Sequence, residues 1–83
     1  MYNGIVTEIA PHIVIDPKLR FGKPTVQGTR ITVDEVLGWL AGGMTAEEIE
    51  REYGVPQQNV LAVIAYAASF VMGEAIEASS QTA

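Results

Sequence analysis

Three consecutive amide side chains are the residues of this sequence best suited to specific recognition. Gln57, Gln58 and Asn59 follow a Gly-Val-Pro segment and open a predicted helix. Gln and Asn can pair bidentately with adenine in the DNA major groove, so we expect these three residues to contact bases if the protein reads DNA. No Lys or Arg occurs after Arg51, which counts against tight DNA binding by this helix alone.

Positive charge lies mainly in the N-terminal third of the chain. Residues 1–33 carry four of the five basic residues against two acids, whereas residues 34–83 carry one basic residue against eight acids. Lys and Arg make the phosphate contacts in nucleic-acid complexes, so we expect this third to hold any DNA backbone. The acidic remainder suits either a basic protein partner or a solvated face that favours solubility. The predicted phosphate ligands are Lys18, Arg20, Lys23 and Arg30, the last with the alternative of capping a neighbouring carbonyl.

The chain offers no set of residues for catalysis. It contains no cysteine, and its single histidine, His12, has no cluster of acids beside it and is expected to be structural or exposed. The glycines of the N-terminal third lack the spacing of a phosphate-binding loop. Four glutamates between residues 47 and 52 are spread around one short predicted helix, which favours a solvated face over a carboxylate pair. We therefore predict a protein that is not an enzyme and uses no metal or cofactor.

The amides are positioned by two predicted helices joined at a tight corner. Thr45 with Glu48 three residues later forms a capping box, Gly54 is suited to end that helix, and Pro56 is suited to the first turn of the next. Such a corner is a helix-turn-helix pattern, and a purely structural corner stays open as the alternative. The apolar residues expected to join the two helices in one core are Ile49, Tyr53, Val55, Val60 and Val63.

A further helix is predicted before the corner, and short strands before that helix. Thr32 and Glu35 form a second capping box, and Gly42-Gly43 end this helix, in which Trp39 is expected in the core. Residues 12–16 are β-branched and predict a strand, whereas residues 5–9 fit a strand or a loose arm. Residues 19–33 predict short extended pieces, with a turn at Gly28 that directs Arg30 outward.

The run of residues 16–68 resembles a small prokaryotic family, the domain of unknown function number four hundred and thirty-three, which is VapB-type antitoxin-like. The resemblance rests on Gly-Lys-Pro at residues 22–24, Gly-Thr-Arg-Ile at residues 28–31, Gly-Met-Thr-Ala-Glu-Glu-Ile at residues 43–49 and an Ala-rich final helix. It implies a mainly α fold, a three-helix homeodomain-like helix-turn-helix bundle with a short β-rich N-terminal arm. It also implies an antitoxin of a type II toxin–antitoxin pair, which binds a PIN-type ribonuclease toxin and the operator DNA of its own operon.

The residues themselves leave a second class of function open, a dimeric protein-interaction module that does not bind DNA. The last helix, predicted from residue 57 to about residue 76, is apolar nearly all round. One face, expected to cover the first two helices, contains Val60, Val63, Ile64, Ala67, Phe70 and Val71. A second stripe needs cover from the N-terminal arm or from another subunit, and we expect a homodimer. This predicted dimer stripe consists of Leu61, Ala65, Ala68 and Met72.

Length and hydropathy predict one small domain in the cytoplasm. Eighty-three residues bury a limited core, so such a domain often depends on a partner. We divide it into a β-rich arm at residues 1–31, a helical part at residues 32–77 and a frayed tail at residues 78–83. The longest apolar run, residues 60–72, is shorter than the ~20 residues that span a bilayer, so no membrane association is expected.

Overall fold

A three-stranded antiparallel sheet precedes three helices in the computed structural model, which describes residues 5–82 and side chains as far as residue 73. The strands are β1 (Thr7–Ala10), β2 (Ile13–Ile15) and β3 (Pro24–Val26), with a short 3₁₀ turn at Arg20–Gly22 between the last two. The helices are α1 (Val33–Ala41), α2 (Ala46–Tyr53) and α3 (Gln57–Thr82).

The N-terminal segment is part of the folded core and not an arm attached to a helical bundle. Its strands pair in the order β1-β2-β3, and Ile13 of β2 lies opposite Val26 of β3. Both side chains are fully buried in one core with residues of all three helices. The three helices and the β-rich N-terminal segment are present as expected, but the segment is not an attached arm, because its paired β-branched residues place one face of a sheet against the helices. The fold is a compact α/β arrangement.

Both predicted capping boxes are present. The Thr32 hydroxyl accepts from the Glu35 N–H at 3.1 Å, and the Glu35 carboxylate accepts from the Thr32 N–H at 2.9 Å. Thr45 and Glu48 repeat the arrangement at 3.0 and 2.8 Å. The backbone N–H of the threonine is the main reason that the pKa of each glutamate lies below its ordinary value of 4.5. These bonds fix where α1 and α2 begin.

Gly54 and Pro56 form the corner between α2 and α3. Gly54 takes a left-handed conformation, φ +75°, and its N–H donates to the Glu50 carbonyl, which ends α2 as predicted. Pro56 immediately precedes the first residue of α3, and its carbonyl closes the first turn by accepting the N–H groups of Asn59 and Val60. Three residues thus connect the two helices.

Four of the five residues predicted to form the core at the α2–α3 corner do so. Ile49, Val55, Val60 and Val63 are fully buried. Tyr53, the fifth, is 47% exposed and stacks face to face on Trp39, with ring centroids 3.7 Å apart. Its position in the last turn of α2 brings the ring to the edge of the core, where Trp39 is itself only partly buried.

Helix α3 is longer than the elements that cover it. It continues to Thr82, past the predicted end near residue 76 and through most of the predicted tail, because no Gly or Pro follows Gly73 to stop it. Its 26 residues span about 39 Å, whereas the nine and eight residues of α1 and α2 span about 12–14 Å. The predicted core face is therefore buried only near its start. Within the described residues, no helix is long and apolar enough to cross a membrane.

Candidate nucleic-acid and protein contact surfaces

The three amides at the start of α3 do not share one environment. Gln57 and Gln58 are exposed, as expected for side chains that could reach a partner. Asn59 is only 8% exposed, and its Oδ1 has no hydrogen-bond partner among the described residues. It lies one turn before the buried Val63 and on the same side of the helix, so it faces the core. The expectation that all three amides present themselves to DNA is wrong for Asn59.

One of the two remaining amides contacts an acidic side chain of α2. The Gln57 Nε2 donates to the Glu50 Oε1 at 3.1 Å, so one amide is already bonded to a carboxylate. Helix α2 carries Glu47, Glu48, Glu50 and Glu52 against Arg51 alone. A phosphate backbone close to this corner would meet net negative charge, which opposes binding.

Two of the predicted phosphate ligands are engaged within the fold. The Arg20 Nη1 donates to the Glu35 Oε1 at 2.9 Å and to the Arg30 carbonyl at 3.0 Å. Arg20 thereby links the 3₁₀ turn to the start of α1 and helps to lower the pKa of Glu35. Lys23 lies 3.5 Å from the Asp34 carboxylate in an exposed, weak pair.

The other two predicted ligands are exposed and available. Lys18 and Arg30 form no ion pair with any residue of the described part of the chain. Arg30 follows a turn in which Gly28 has φ +80° and the Thr29 N–H donates to the Val26 carbonyl, which confirms that the turn directs it outward. The surface around these four cations also holds the carboxylates of Asp16, Asp34 and Glu35.

An exposed aromatic ring lies in the basic segment, residues 18–30, which holds these four cations. Arg20, Phe21 and Gly22 have φ values of +50°, +60° and +77°, a left-handed run that is unfavourable by ~1–2 kcal/mol for each residue with a side chain. Phe21 is 99% exposed. Sequence reasoning missed this feature, because neither Arg nor Phe favours left-handed backbone and an exposed Phe gives no periodic signal.

Helix α3 presents two apolar surfaces to solvent. On the predicted dimer stripe, Leu61 and Met72 are both 61% exposed, Ala65 is exposed and Ala68 is half-buried. We call the second surface the distal face, because it continues the buried side of α3 beyond the reach of α1 and α2. No charged residue occurs between residues 57 and 73. The distal face consists of Ile64, Ala67, Phe70 and Val71, with exposures of 41%, 56% and 69% at Ile64, Phe70 and Val71.

A shallow apolar cleft adjoins the distal face. It has a volume of about 410 Å³ and lies between the β1–β2 turn and the middle of α3. The Tyr66 and Phe70 rings meet edge to face at its wall, with centroids 5.0 Å apart. The turn therefore covers the side of α3 at Ala62 and Tyr66 but leaves the dimer stripe open at Leu61 and Met72. The lining residues are Ile9, Ala10, Pro11, Ala62, Ala65, Tyr66, Ser69 and Phe70.

The described residues hold no group of three or more metal-ligating side chains. His12 lies in the β1–β2 turn with φ +65°, and its backbone N–H donates to the Glu8 carboxylate at 3.1 Å. This position gives the residue a role in the hairpin turn.

Comparison with known proteins agrees with the arrangement of sheet and helices. The model of the DUF433 family, described as a protein of unknown function, matches residues 13–67. This chain belongs to the DUF433 family. The match includes β2, the basic segment, α1, α2 and the first half of α3.

Two comparisons, one of sequence and one of structure, find similarity to Mycobacterium tuberculosis proteins. By sequence, this DUF433 chain is 38% identical over 44 residues to "Putative antitoxin VapB45", a match that makes up 53% of this chain and 18% of that protein. By structure, it is similar to the X-ray crystal structure of Rv2018, with a TM-score of 0.58 and 31% identity over 63% of this chain and 24% of that chain. In each comparison this chain spans less than a quarter of the matched protein.

Proposed function

We propose that this DUF433 chain is an antitoxin of a type II toxin–antitoxin pair, which acts by binding and not by catalysis. Family membership and the similarity to a relative named as an antitoxin support this proposal. The observation that carries it is the distal face, an apolar and uncharged helix surface that is open to solvent. The partner implied by the family resemblance is a ribonuclease toxin of the PIN type.

The distal face is the surface that we assign to the toxin. Exposed apolar patches of this kind mark protein contact sites in small domains. Phe70 and Val71 are more than half exposed although they continue the side of α3 that forms the core. A toxin that covers them extends that core across the interface, in the manner of an amphipathic helix in a groove.

The dimer stripe is assigned to a second copy of the chain. The large Leu61 and Met72 lie at the two ends of the stripe, and the small Ala65 and Ala68 lie between them. The small residues permit close approach of a second helix. A two-fold pair on this stripe leaves the distal face free, because the two surfaces lie on different sides of α3.

Operator binding is the second candidate function, and a homeodomain-like helix-turn-helix at α2 and α3 is the element proposed for it. The exposed Gln57 and Gln58 favour base contacts. Lys18 and Arg30, which form no ion pair within the described residues, favour phosphate contacts. The Glu50 carboxylate, which accepts a hydrogen bond from Gln57, favours the alternative, a dimeric protein-interaction module that does not bind DNA.

A gel-shift titration separates these two candidates. If the corner reads the operator, the double substitution Gln57→Ala and Gln58→Ala lowers discrimination by about 1–3 kcal/mol for each lost bidentate contact. Lys18→Ala or Arg30→Ala weakens all DNA sequences equally and reduces the salt slope by about one unit. Unchanged DNA binding in the double amide variant assigns the corner to protein contact.

Co-expression tests the antitoxin proposal itself. The candidate toxin is the product of the reading frame adjacent to the gene of this chain. We expect its induction to arrest growth in a heterologous host, and co-expression of this chain to restore growth and to co-purify with it. Growth arrest that persists at equal expression of this chain would overturn the proposal.

A further inference from the structure

The left-handed turn at residues 20–22 is fixed by several bonds at once. The Gly22 N–H donates to the Leu19 carbonyl at 2.9 Å, and the Lys23 N–H donates to the Arg20 carbonyl at 3.1 Å. The Arg20 side chain joins the turn to α1 and to the β3–α1 connection through Glu35 and the Arg30 carbonyl. An unfavourable backbone persists only where its surroundings determine it in this way, and such places cluster at functional sites.

The ring that the turn presents contributes nothing to the packing of the described fold. Phe21 is 99% exposed, whereas Val71, the next most exposed large apolar residue among those whose side chains the structure describes, is 69% exposed. An aromatic side chain normally provides a large part of core or interface burial. The chain therefore combines a strained backbone with a fully solvated ring, and both are unfavourable for the isolated domain.

We propose that Phe21 is an anchor that inserts into an apolar, acid-rimmed pocket of the toxin, a contact separate from the distal face. This inference rests on the proposed antitoxin function. Aromatic residues that fill a partner's pocket dominate the energy of protein interfaces, while polar residues around them exclude water. Here the polar surroundings are the Arg20–Glu35 and Lys23–Asp34 pairs.

The charges around Phe21 identify the chemistry of the pocket. Lys18 and Arg30 are the cations of this surface without an acidic partner in the described part of the chain, so a complementary rim is acidic. Nucleic acid fits less well, because a single ring offers no platform for successive bases.

Three substitutions at Phe21 separate binding from folding. Phe21→Gly and Phe21→Asn remove the ring and place residues that tolerate left-handed backbone, so we expect the melting temperature to stay at or above that of the parent. Phe21→Tyr retains the ring and is the matched control. Affinity for the candidate toxin is measured by calorimetry with the purified full chain.

We expect Phe21→Gly and Phe21→Asn each to weaken toxin binding by about 30-fold or more, and Phe21→Tyr to bind within about threefold of the parent. The pair Lys18→Glu and Arg30→Glu should also weaken binding, and more at low salt than at high salt. A parent that binds together with Gly and Asn variants of equal affinity overturns this inference alone.

Other outcomes are equally decisive. A parent that does not bind the candidate toxin overturns the proposed function and this inference with it. Loss of binding to operator-region DNA in Phe21→Gly, with toxin affinity unchanged, assigns the ring to nucleic acid and also overturns the inference. A fall in melting temperature of more than about 5 °C in both Gly and Asn variants shows that the ring serves the fold, and rejects the anchor role.

Discussion

Within residues 57–73 of α3, the first and second halves have similar apolar side chains on the side that forms the core, but opposite surroundings. In the first half, Val60 and Val63 are fully buried beneath α1, α2 and the sheet. In the second half, Phe70 and Val71 lie on the same side of the helix and are 56% and 69% exposed. No charged residue distinguishes one half from the other between residues 57 and 73.

This difference shows that composition alone does not reveal which apolar residues form the core of a small domain. The first half is explained by the domain's own packing. The second half exposes apolar area that costs solvation free energy, about 25 cal/mol for each Å² left in water. A surface that the fold leaves uncovered in this way is best explained by a partner, and the antitoxin proposal names that partner.

The largest effect is expected from placing one charge in each half. Val63→Asp buries an unpaired carboxylate, which should cost about 4 kcal/mol or more and leave the domain unfolded. Val71→Asp places the same carboxylate in water and should leave the melting temperature within about 3 °C of the parent. Thermal melts followed by circular dichroism check both. Equal destabilisation by the two variants would mean that the halves do not differ as described.

The next largest effect is expected from a charge on the dimer stripe, which should weaken dimerisation. Leu61→Glu or Ala65→Glu places like charges opposite each other in the proposed two-fold interface, at a cost of several kcal/mol in association. We expect sedimentation at micromolar concentration to show a dimer for the parent and a monomer for either variant. Ala41→Glu, on the exposed end of α1, is the control and should remain dimeric. A monomeric parent would reject the stripe as an interface.

Helix caps test whether α1 and α2 cover the first half of α3. Thr45→Ala removes an exposed cap and should cost ~1 kcal/mol of unfolding free energy. Thr32→Ala should cost more, up to about 2 kcal/mol, because Thr32 is only 2% exposed and the Glu35 N–H that its hydroxyl accepts is part-buried. Urea unfolding measures both changes. An unfolding free energy that neither substitution changes would show that the starts of α1 and α2 do not contribute to the stability of the fold.

The smallest effect is a change of stability with pH. The pKa values of Glu35 and Glu48 lie below the ordinary 4.5 because each carboxylate accepts a threonine N–H, and Arg20 adds to the effect at Glu35. Their contribution is complete above pH 4.5 and is lost as the pH falls through the lowered values. We expect the melting temperature to fall in that window.

Glutamine at both positions provides the control for this pH dependence. Gln is a capping-box residue that carries no titrating proton, so Glu35→Gln with Glu48→Gln should flatten the fall in melting temperature below pH 4.5. A slope equal to that of the parent would place the titration elsewhere.

The sequence predicted the helix boundaries of α1 and α2, which depend on residues close together in the chain. It did not predict orientations that depend on how the helices pack. Thr32 with Glu35, Thr45 with Glu48, and Gly54 predicted the helix boundaries, because capping depends on residues three apart. The burial of Asn59 and the exposure of Tyr53 depend on how α1, α2 and α3 pack together, which no spacing within one helix specifies.

The sheet and the basic turn were harder to foresee for two different reasons. β2 is three residues long, so its pattern is too short to show that Ile13 enters the core. The left-handed Phe21 contradicts the preference of its residue type, and it is explained by the backbone bonds of the turn together with the bonds of Arg20 to α1 and to the Arg30 carbonyl. For the candidate surfaces, the sequence predicted exposed Gln57 and Gln58 and the outward Arg30, but not the pairing of Arg20 and Lys23.

Calorimetric titration of the candidate toxin with Val71→Glu tests the central claim most directly, because that residue lies on the distal face and outside the core. The account predicts that the parent binds, that Ala41→Glu binds with the same affinity, and that Val71→Glu binds at least about 30-fold more weakly with an unchanged melting temperature. Toxin binding by Val71→Glu with the affinity of the parent would contradict it.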